Sequence, residues 1–483
     1  MLELRQLAVV GLLLSCNRSS PPSTKSTAAA SATATASVTA TASVTAKSPP
    51  PCDPRPLEAA YDEPPADDLS PTGRHVERTL KALATAHPCR TRLEELGVSH
   101  QGRPVWALAI GDDLAGARPT LLLNGAHHGD EPLSVAFVLD AARLLLAEGN
   151  PRVARLRASL NVWLVPLVNP DGLVIHRREA ARLGRDPGTD NGRSPGRKNG
   201  RDNDDDGRLG PNDGVDLNRN YPFQWGYLGE QGSTSAYALR IYRGPSAGSE
   251  PETQAMIGLA DREVFAGAIS FHIGAVAILV PYTIDRTRSP RPNVAWPIAR
   301  AMAKTIVDHP SASGVRHYPV RRNLYSVDGT DQDWHLHAHG TQAYIVEGGL
   351  RATPTRRRSD AVRAIRGSWL GLGERLLDGP TVAGRVLDAS GRPVGARVHL
   401  LEVERFEGES WSTRCRDGLF TRFVEKAGDH TLEVEVEGHP TARRSLHVEG
   451  MTVVTVRLPY DVEPQACPGE SESGPVQSES GPG

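Results

Sequence analysis

Between residues 76 and 377, short apolar runs of β character alternate with segments of helical periodicity, and that alternation constrains the fold most. Strands are expected at 105–110, 120–123, 160–167, 266–271 and 341–346. Helices are expected at 76–86, 134–147, 296–307 and 360–377. Pro297 stands near the start of its segment, where proline is tolerated. Asn169-Pro170-Asp171-Gly172 reads as a turn closing the third strand. A chain alternating in this way folds as an α/β protein, a sheet with helices on both faces. With 39% hydrophobic residues it has enough apolar material for a sizeable core.

The texture changes at both ends. After Gly379 come short β runs, at Gly384-Arg385-Val386, 398–403, 432–436 and 454–458, broken by turns such as Asp388-Ala389-Ser390-Gly391-Arg392-Pro393. This stretch, 379–460, predicts a small all-β sandwich. Residues 461–483 form a Ser/Glu/Gly/Pro tail expected to be disordered. At the other end, Arg5 precedes a short apolar run, 7–14, too short to span a bilayer as a helix. The run ends in Leu13-Leu14-Ser15-Cys16, which resembles the lipobox of bacterial lipoproteins. Residues 1–16 then read as an export signal with Cys16 as a possible lipid attachment site. The Ser/Thr/Ala/Pro-rich stretch that follows, 17–65, reads as a disordered tether. The expected location is exported, either anchored on the cell envelope or secreted.

Five cysteines suit an oxidising compartment. Setting Cys16 aside, Cys52, Cys89, Cys415 and Cys467 allow three pairings, and none has the CxxC spacing of a thiolate metal site. A net charge of -2 gives no steering toward nucleic acid, so no nucleic-acid partner is expected.

Four clusters carry chemistry. His128 and Glu131 form an HxxE pair between a strand and a helix, a spacing that lets an imidazole and a carboxylate converge on one ion. The same residues also suit a polar turn whose acids favour a helix N-terminus. His272 ends an apolar strand and completes two histidines and one glutamate, the ligand set of hydrolytic zinc sites with an open position. Asp216-Leu217-Asn218-Arg219 presents a fork of donors suited to a carboxylate. Glu347 ends another apolar strand, where a charge is costly unless it is employed or paired.

Together these residues resemble the zinc metallocarboxypeptidase family, which includes the A/B digestive enzymes and the N/E type. The resemblance covers residues 66–378 and opens with 97–105, similar to an early strand-turn-strand segment. It implies a mixed central sheet flanked by helices and one Zn2+ on His128, Glu131 and His272. It also implies a zinc-activated water with Glu347 as general base, and hydrolysis of the C-terminal peptide bond of a peptide or protein with a free C-terminus. By the same resemblance Asp216 orients the first histidine, Arg197 polarises the scissile carbonyl, Asn218 and Arg219 bind the terminal carboxylate, and Tyr325 closes over the substrate. The segment 379–460, with Gly391-Arg392-Pro393-Val394, resembles the transthyretin-like module of N/E-type members and implies a structural or docking role.

The chain departs from that pattern in places. N/E-type members carry an aspartate eleven residues after the third ligand, where this chain has Thr283, while Gln332 does match them. Neutral or polar C-terminal residues are therefore expected over basic ones, with Asp285 as the acid that can weaken the argument. Asp130 replaces the family's arginine between the HxxE ligands. Asp202, Asp204, Asp206 and Asp213 have calcium-loop spacing around Gly207, although a solvated acidic insertion has the same composition. Two rival functions share much of this pattern. One is a zinc amidohydrolase of N-acyl amino acids or cell-wall peptides, and the other a non-catalytic binding protein.

Overall fold

The computed structural model describes residues 61–188, 194–210, 212–311, 317–406, 408–464 and 467. The readings of 1–16, including Cys16, of 17–60 and of 468–483 lie outside the described residues.

The first half opens with α1 (Gly73–Ala86), β1 (Thr91–Val98), β2 (Pro104–Ile110) and β3 (Thr120–Gly125). Next come α2 (Pro132–Leu145), α3 (Pro151–Ser159), β4 (Asn161–Val165) and α4 (Pro170–Arg182). After a long irregular stretch follow α5 (Pro251–Glu263), β5 (Gly267–His272), β6 (Ala275–Leu279) and α6 (Ala295–Thr305). The last group is β7 (Val320–Arg321), α7 (Asp331–His339), β8 (Gln342–Gly349) and α8 (Thr355–Asp378).

The eight strands form one mixed sheet in the order β1-β2-β4-β3-β5-β8-β6-β7. Its centre, β4-β3-β5-β8, is parallel. The sequence shows why. Leu121-Leu122-Leu123 and Val162-Trp163-Leu164-Val165 are apolar without alternation, as strands covered on both faces must be. One face carries α1, α2, α3, α6 and α8, the other α5 and α7. On α1, Val76, Leu80 and Leu83 recur at helical spacing and bury one stripe, and the Thr72 hydroxyl accepts from the His75 N–H to cap the helix.

One sequence reading is overturned here. Asn169-Pro170-Asp171-Gly172 does not end in a turn but starts α4. The Asn169 side chain accepts from Gly172 N–H at 2.8 Å, and Pro170 takes the first helical position, where its missing donor costs nothing.

Beyond α8, β9 (Thr381–Leu387), β10 (Arg397–Leu400), β11 (Leu419–Phe423), β12 (Gly428–Glu435), β13 (Ala442–Val448) and β14 (Met451–Arg457) form two three-stranded sheets. Val382, Val386, Phe420 and Val456 of one sheet share a core with Val398, Leu400, Leu432 and Val434 of the other, which makes a small sandwich.

At both ends the described residues pass the boundaries expected from composition. Tyr61 donates its hydroxyl to Asp140 Oδ1 at 2.9 Å, ahead of residue 66. Val462 is buried in the sandwich core, and Cys467 is bonded to Cys415, past residue 461. Cys89 is disulfide-bonded as well.

Only Gly379 and Pro380 separate α8 from β9. Glu263, at the end of α5 and 1% exposed, accepts two hydrogen bonds from Arg416 (2.8 and 2.7 Å) and one from Arg92 (3.2 Å), with Arg414 3.8 Å away. Arg414 also donates to Thr120 Oγ1 at 2.9 Å.

Candidate active site

Three neighbouring parallel strands deliver the key side chains to one edge of the sheet, at their C-terminal ends, where open α/β sheets bind ligands. β3 runs into the loop bearing His128 and Glu131. β5 ends in His272, and β8 carries Glu347. The loop after β3 lies tight on α4. A Cβ on Gly129 would come within 2.1 Å of Leu173 N, so only glycine fits there. Asp216 opens a short 3-10 turn, Leu217–Arg219, and caps it by accepting from Asn218 N–H at 3.1 Å.

His128 Nδ1, His272 Nδ1 and the Glu131 carboxylate converge. His128 Nδ1 lies 2.9 Å from Glu131 Oε1, His272 Nδ1 3.1 Å from Oε2, and the two ring nitrogens are 3.2 Å apart. All three residues are buried. Ligands held at about 2.0–2.1 Å around a tetrahedral ion stand about 3.3 Å apart, so this donor set fits zinc. The outer ring nitrogens are both engaged. His128 Nε2 donates to Asp216 Oδ1 at 3.1 Å, and His272 Nε2 meets Ser270 Oγ at 3.1 Å. Each imidazole is thereby oriented with Nδ1 inward.

Charges around this set are compensated from several sides. Asp216 Oδ2 accepts from Arg197 Nε (3.0 Å) and Nη2 (2.7 Å). Burial pushes the Asp216 carboxyl up, but Arg197, Arg219 and His128 outweigh it and hold the group well below the usual range. Glu347 pairs with His272 in the β5–β8 register, and its Oε2 is buried without a hydrogen-bond partner among the described residues. Burial, then the nearby Glu131 charge, raise its pKa.

A cavity of about 200 Å³ opens over these groups. Arg197, Asn218, Arg219 and Tyr325 line it, as do Thr283, Leu279, Ile345, Val327 and Thr330. Arg219 Nη2 donates to the Tyr325 hydroxyl at 3.0 Å, and Tyr325 is 54% exposed. Asn218 Oδ1 accepts from Asp331 N–H at 3.0 Å. Thr283 donates its hydroxyl to Asp333 Oδ2 at 2.7 Å. Gln332 does not line the cavity. It is buried behind Thr283, its amide 3.4 Å from the threonine hydroxyl. Asp285 stays outside as well, exposed and accepting from Asn323 Nδ2 at 2.8 Å.

Two functional neighbours carry no motif in the sequence. Arg351 donates to Glu131 Oε1 at 3.0 Å and lies 3.4 Å from Asp130 Oδ2, which also accepts from Arg240 at 3.2 Å. Ser270 joins His272 to His127, whose Nε2 meets the Tyr221 hydroxyl at 2.9 Å. The one available signal was chemical: a buried Asp130 next to Glu131 must find cations somewhere.

The proposed calcium loop does not assemble as its spacing suggests. Asp202, Asp204 and Asp206 converge, but Asp213 is not among them. Its oxygens accept from the backbone N–H of Asn203 (2.9 Å) and Gly210 (2.6 Å) instead. His100, Glu250 and Glu252 also lie together, yet Glu250 is already engaged by His100, Asn199, Arg201 and Ser249.

Residues 76–357, more than half of the chain, match the zinc carboxypeptidase family. The metallocarboxypeptidase A-like protein of Trichophyton verrucosum is 27% identical over 264 residues, covering 53% of this chain and 56% of that protein. Carboxypeptidase D of Rattus norvegicus is 31% identical over 301 residues, 56% of this chain and 19% of its own length. The chain thus spans about half the length of the first relative and a smaller part of the second. The crystal structure of carboxypeptidase A from Helicoverpa armigera superposes with a TM-score of 0.52 at 24% identity, over 64% of this chain and 73% of that one, and shares the fold. The extent of the family match, with the mixed sheet and the His-Glu-His cluster at its edge, shows that the chain belongs to the zinc carboxypeptidase family.

Proposed function

We propose that this chain is a zinc-dependent metallocarboxypeptidase that removes the C-terminal residue of peptides or proteins. The observation that carries the reading is the buried His128–Glu131–His272 donor set beside a cavity that Glu347 also lines, its Oε2 buried without a hydrogen-bond partner among the described residues. Zinc, when bound by those three residues, supplies a Lewis acid that polarises a carbonyl oxygen and acidifies a coordinated water from about 15.7 toward ~7.

The chain's own residues do the rest. Glu347 has a free carboxylate oxygen and a raised pKa, so it accepts a proton from water and later returns it to the leaving amine. Arg197, fixed on Asp216, presents a cation at the cavity wall where an oxyanion develops, a contribution of ~3–4 kcal/mol for a typical donor. Asn218 and Arg219 hold the substrate's terminal carboxylate and Tyr325 closes over it, which restricts cleavage to the last bond. Asp216 keeps His128 in the tautomer that turns Nδ1 inward.

Residues 66–378 form the catalytic unit in this reading, and 379–460 a transthyretin-like module. Export is supported by the two disulfide-bonded cysteines Cys415 and Cys467. Among the described residues no helix is long and apolar enough to cross a membrane. Envelope attachment, in this reading, is through Cys16.

The test is release of free amino acid from peptides that differ only in their last residue, with and without chelator. Activity lost on chelation and restored by zinc supports the reading. Failure to release any C-terminal residue, or cleavage confined to N-acyl bonds, rejects it.

A further inference from the structure

The segment leading from β6 toward α6 is a wall with two sides. Thr283 faces the cavity. Its N–H donates to both Asp333 oxygens (3.0 and 2.9 Å) and its carbonyl accepts from Asn323 Nδ2 at 2.6 Å. The preceding residue, Tyr282, points the other way, toward Phe223 and Phe406. Its ring is fully buried and its hydroxyl donates to Glu409 Oε1, a residue of the C-terminal sandwich.

The sandwich grips this wall at two further points. Glu409 Oε2 accepts from Phe406 N–H at 2.9 Å, and the Phe406 ring packs edge-on against Phe223 (5.8 Å) and Tyr282 (5.9 Å). Arg291 and Glu404 exchange both backbone hydrogen bonds, at 2.9 and 2.7 Å. The segment that carries Thr283 is therefore tied to the sandwich at each end, by Tyr282 and by Arg291. Arg322 Nε donates to the Tyr282 carbonyl at 2.8 Å, which extends the tie to Asn323, Leu324 and Tyr325 on the cavity rim.

We infer that Glu409 and Phe406 are positioning residues of the substrate pocket: by holding Tyr282 from behind, the sandwich sets where Thr283 and the 323–325 rim stand. A carboxylate is an expensive choice for that place. Burial pushes Glu409 up to about 7, and a hydrophobic side chain would fill the space at less cost unless the Tyr282 hydroxyl has to be fixed in direction. The sandwich supplies no group to the reacting atoms. Its effect runs through the pocket wall and appears in substrate binding.

This inference rests on the carboxypeptidase reading for its kinetic arm only. In the full chain, Glu409→Ala and Tyr282→Phe are each expected to raise KM about tenfold, with kcat within about threefold of wild type. Glu409→Gln keeps an acceptor for the Tyr282 hydroxyl and restores the wild-type KM. Backbone amide exchange over 281–293 should quicken in Glu409→Ala and Tyr282→Phe but not in Glu449→Ala, an exposed site elsewhere on the sandwich. Unchanged exchange and unchanged KM in both variants overturn the inference, as does an equal fall in kcat without a change in KM. If the wild-type protein hydrolyses no peptide at all, the carboxypeptidase reading fails, and the exchange comparison alone decides the coupling.

Discussion

His272 and Glu347 face each other as register partners across the parallel β5–β8 ladder. The backbone hydrogen bonds of two central strands therefore set the distance between the imidazole proposed to bind the metal and the proposed base. Neither side chain depends on a loop for its place.

The first prediction follows from that arrangement. Glu347→Gln leaves the ladder and the His128–Glu131–His272 set intact, so metal content stays at the wild-type level. Peptidase activity falls by ~100 to 10,000-fold, the usual cost of removing a general base. Activity within a few-fold of wild type, measured on a good peptide substrate, would rule out this role.

Metal binding gives the second prediction. Purified protein holds about one zinc per chain, and His272→Ala or His128→Ala loses it. Asp216→Ala keeps all three ligands but releases the His128 ring, so zinc affinity drops by ~10 to 100-fold. Competition with a chelator of known affinity measures both effects. Stoichiometric zinc in a His128→Ala, His272→Ala double variant would place the metal elsewhere.

Substrate preference is the third. The wall that would meet a C-terminal side chain is Thr283, Leu279, Val327, Thr330 and Ile345, with no acid among them. Asp285 is exposed and turned to Asn323, and Asp333 is covered by Thr283. A Lys or Arg side chain would enter without a counter-charge, which is costly. Neutral C-terminal residues should give the higher kcat/KM, and Thr283→Asp should shift preference toward Lys and Arg. A wild-type preference for basic residues would contradict this.

The fourth concerns acid stability. His335, on α7, is 1% exposed, has no hydrogen-bond partner among the described residues and stands beside Trp334 and Phe265. Burial lowers its pKa from 6.5 to about 3. Its neutral form is thus the folded one, and its contribution is fully present above 6.5 and lost as pH falls toward 3. Asp333, raised to about 7 by burial, acts with the opposite sign but is common to both proteins in a comparison. His335→Leu should therefore gain on wild type by up to about 1.4 kcal/mol for each pH unit below 6.5. Urea midpoints from pH 7 to pH 4 test it, and a pH-independent difference would refute it.

Much of this was legible in the sequence where one physical signal dominated. The apolar runs of β3, β4, β5 and β8 stood out once each was bounded by polar turns, and the HxxE pair, His272 and Glu347 stood out as polar residues at or just past apolar strand ends, whereas the role of Asp216 came only from the family resemblance. Elements with mixed signals were missed. β1 was read only at its end, in the strand-turn-strand segment 97–105, because Glu94 and Glu95 hide the pattern of this edge strand, and α7 buries Asp331, Gln332 and Asp333 because it backs the cavity. Asn169-Pro170-Asp171-Gly172 misled because the residues that favour turns also cap helices. Arg351 and Arg240 come from distant loops, and only the folded chain brings them to Asp130.

Glu263 is shared property. Its carboxylate belongs to α5, yet its two shortest bonds come from Arg416 of the sandwich, and a linker of only Gly379 and Pro380 leaves no slack beside it. The sandwich is thus no bead on a string: Arg414 and Arg416 bind Glu263 and Thr120 of the sheet domain directly. Cutting the chain after residue 378 would take Arg414 and Arg416 from Glu263, leaving it Arg92 and Arg262, and bare the Tyr282–Phe223 face at once. The two parts should melt in one cooperative transition, so the truncated form becomes a client for proteases and chaperones before it can act as a smaller enzyme.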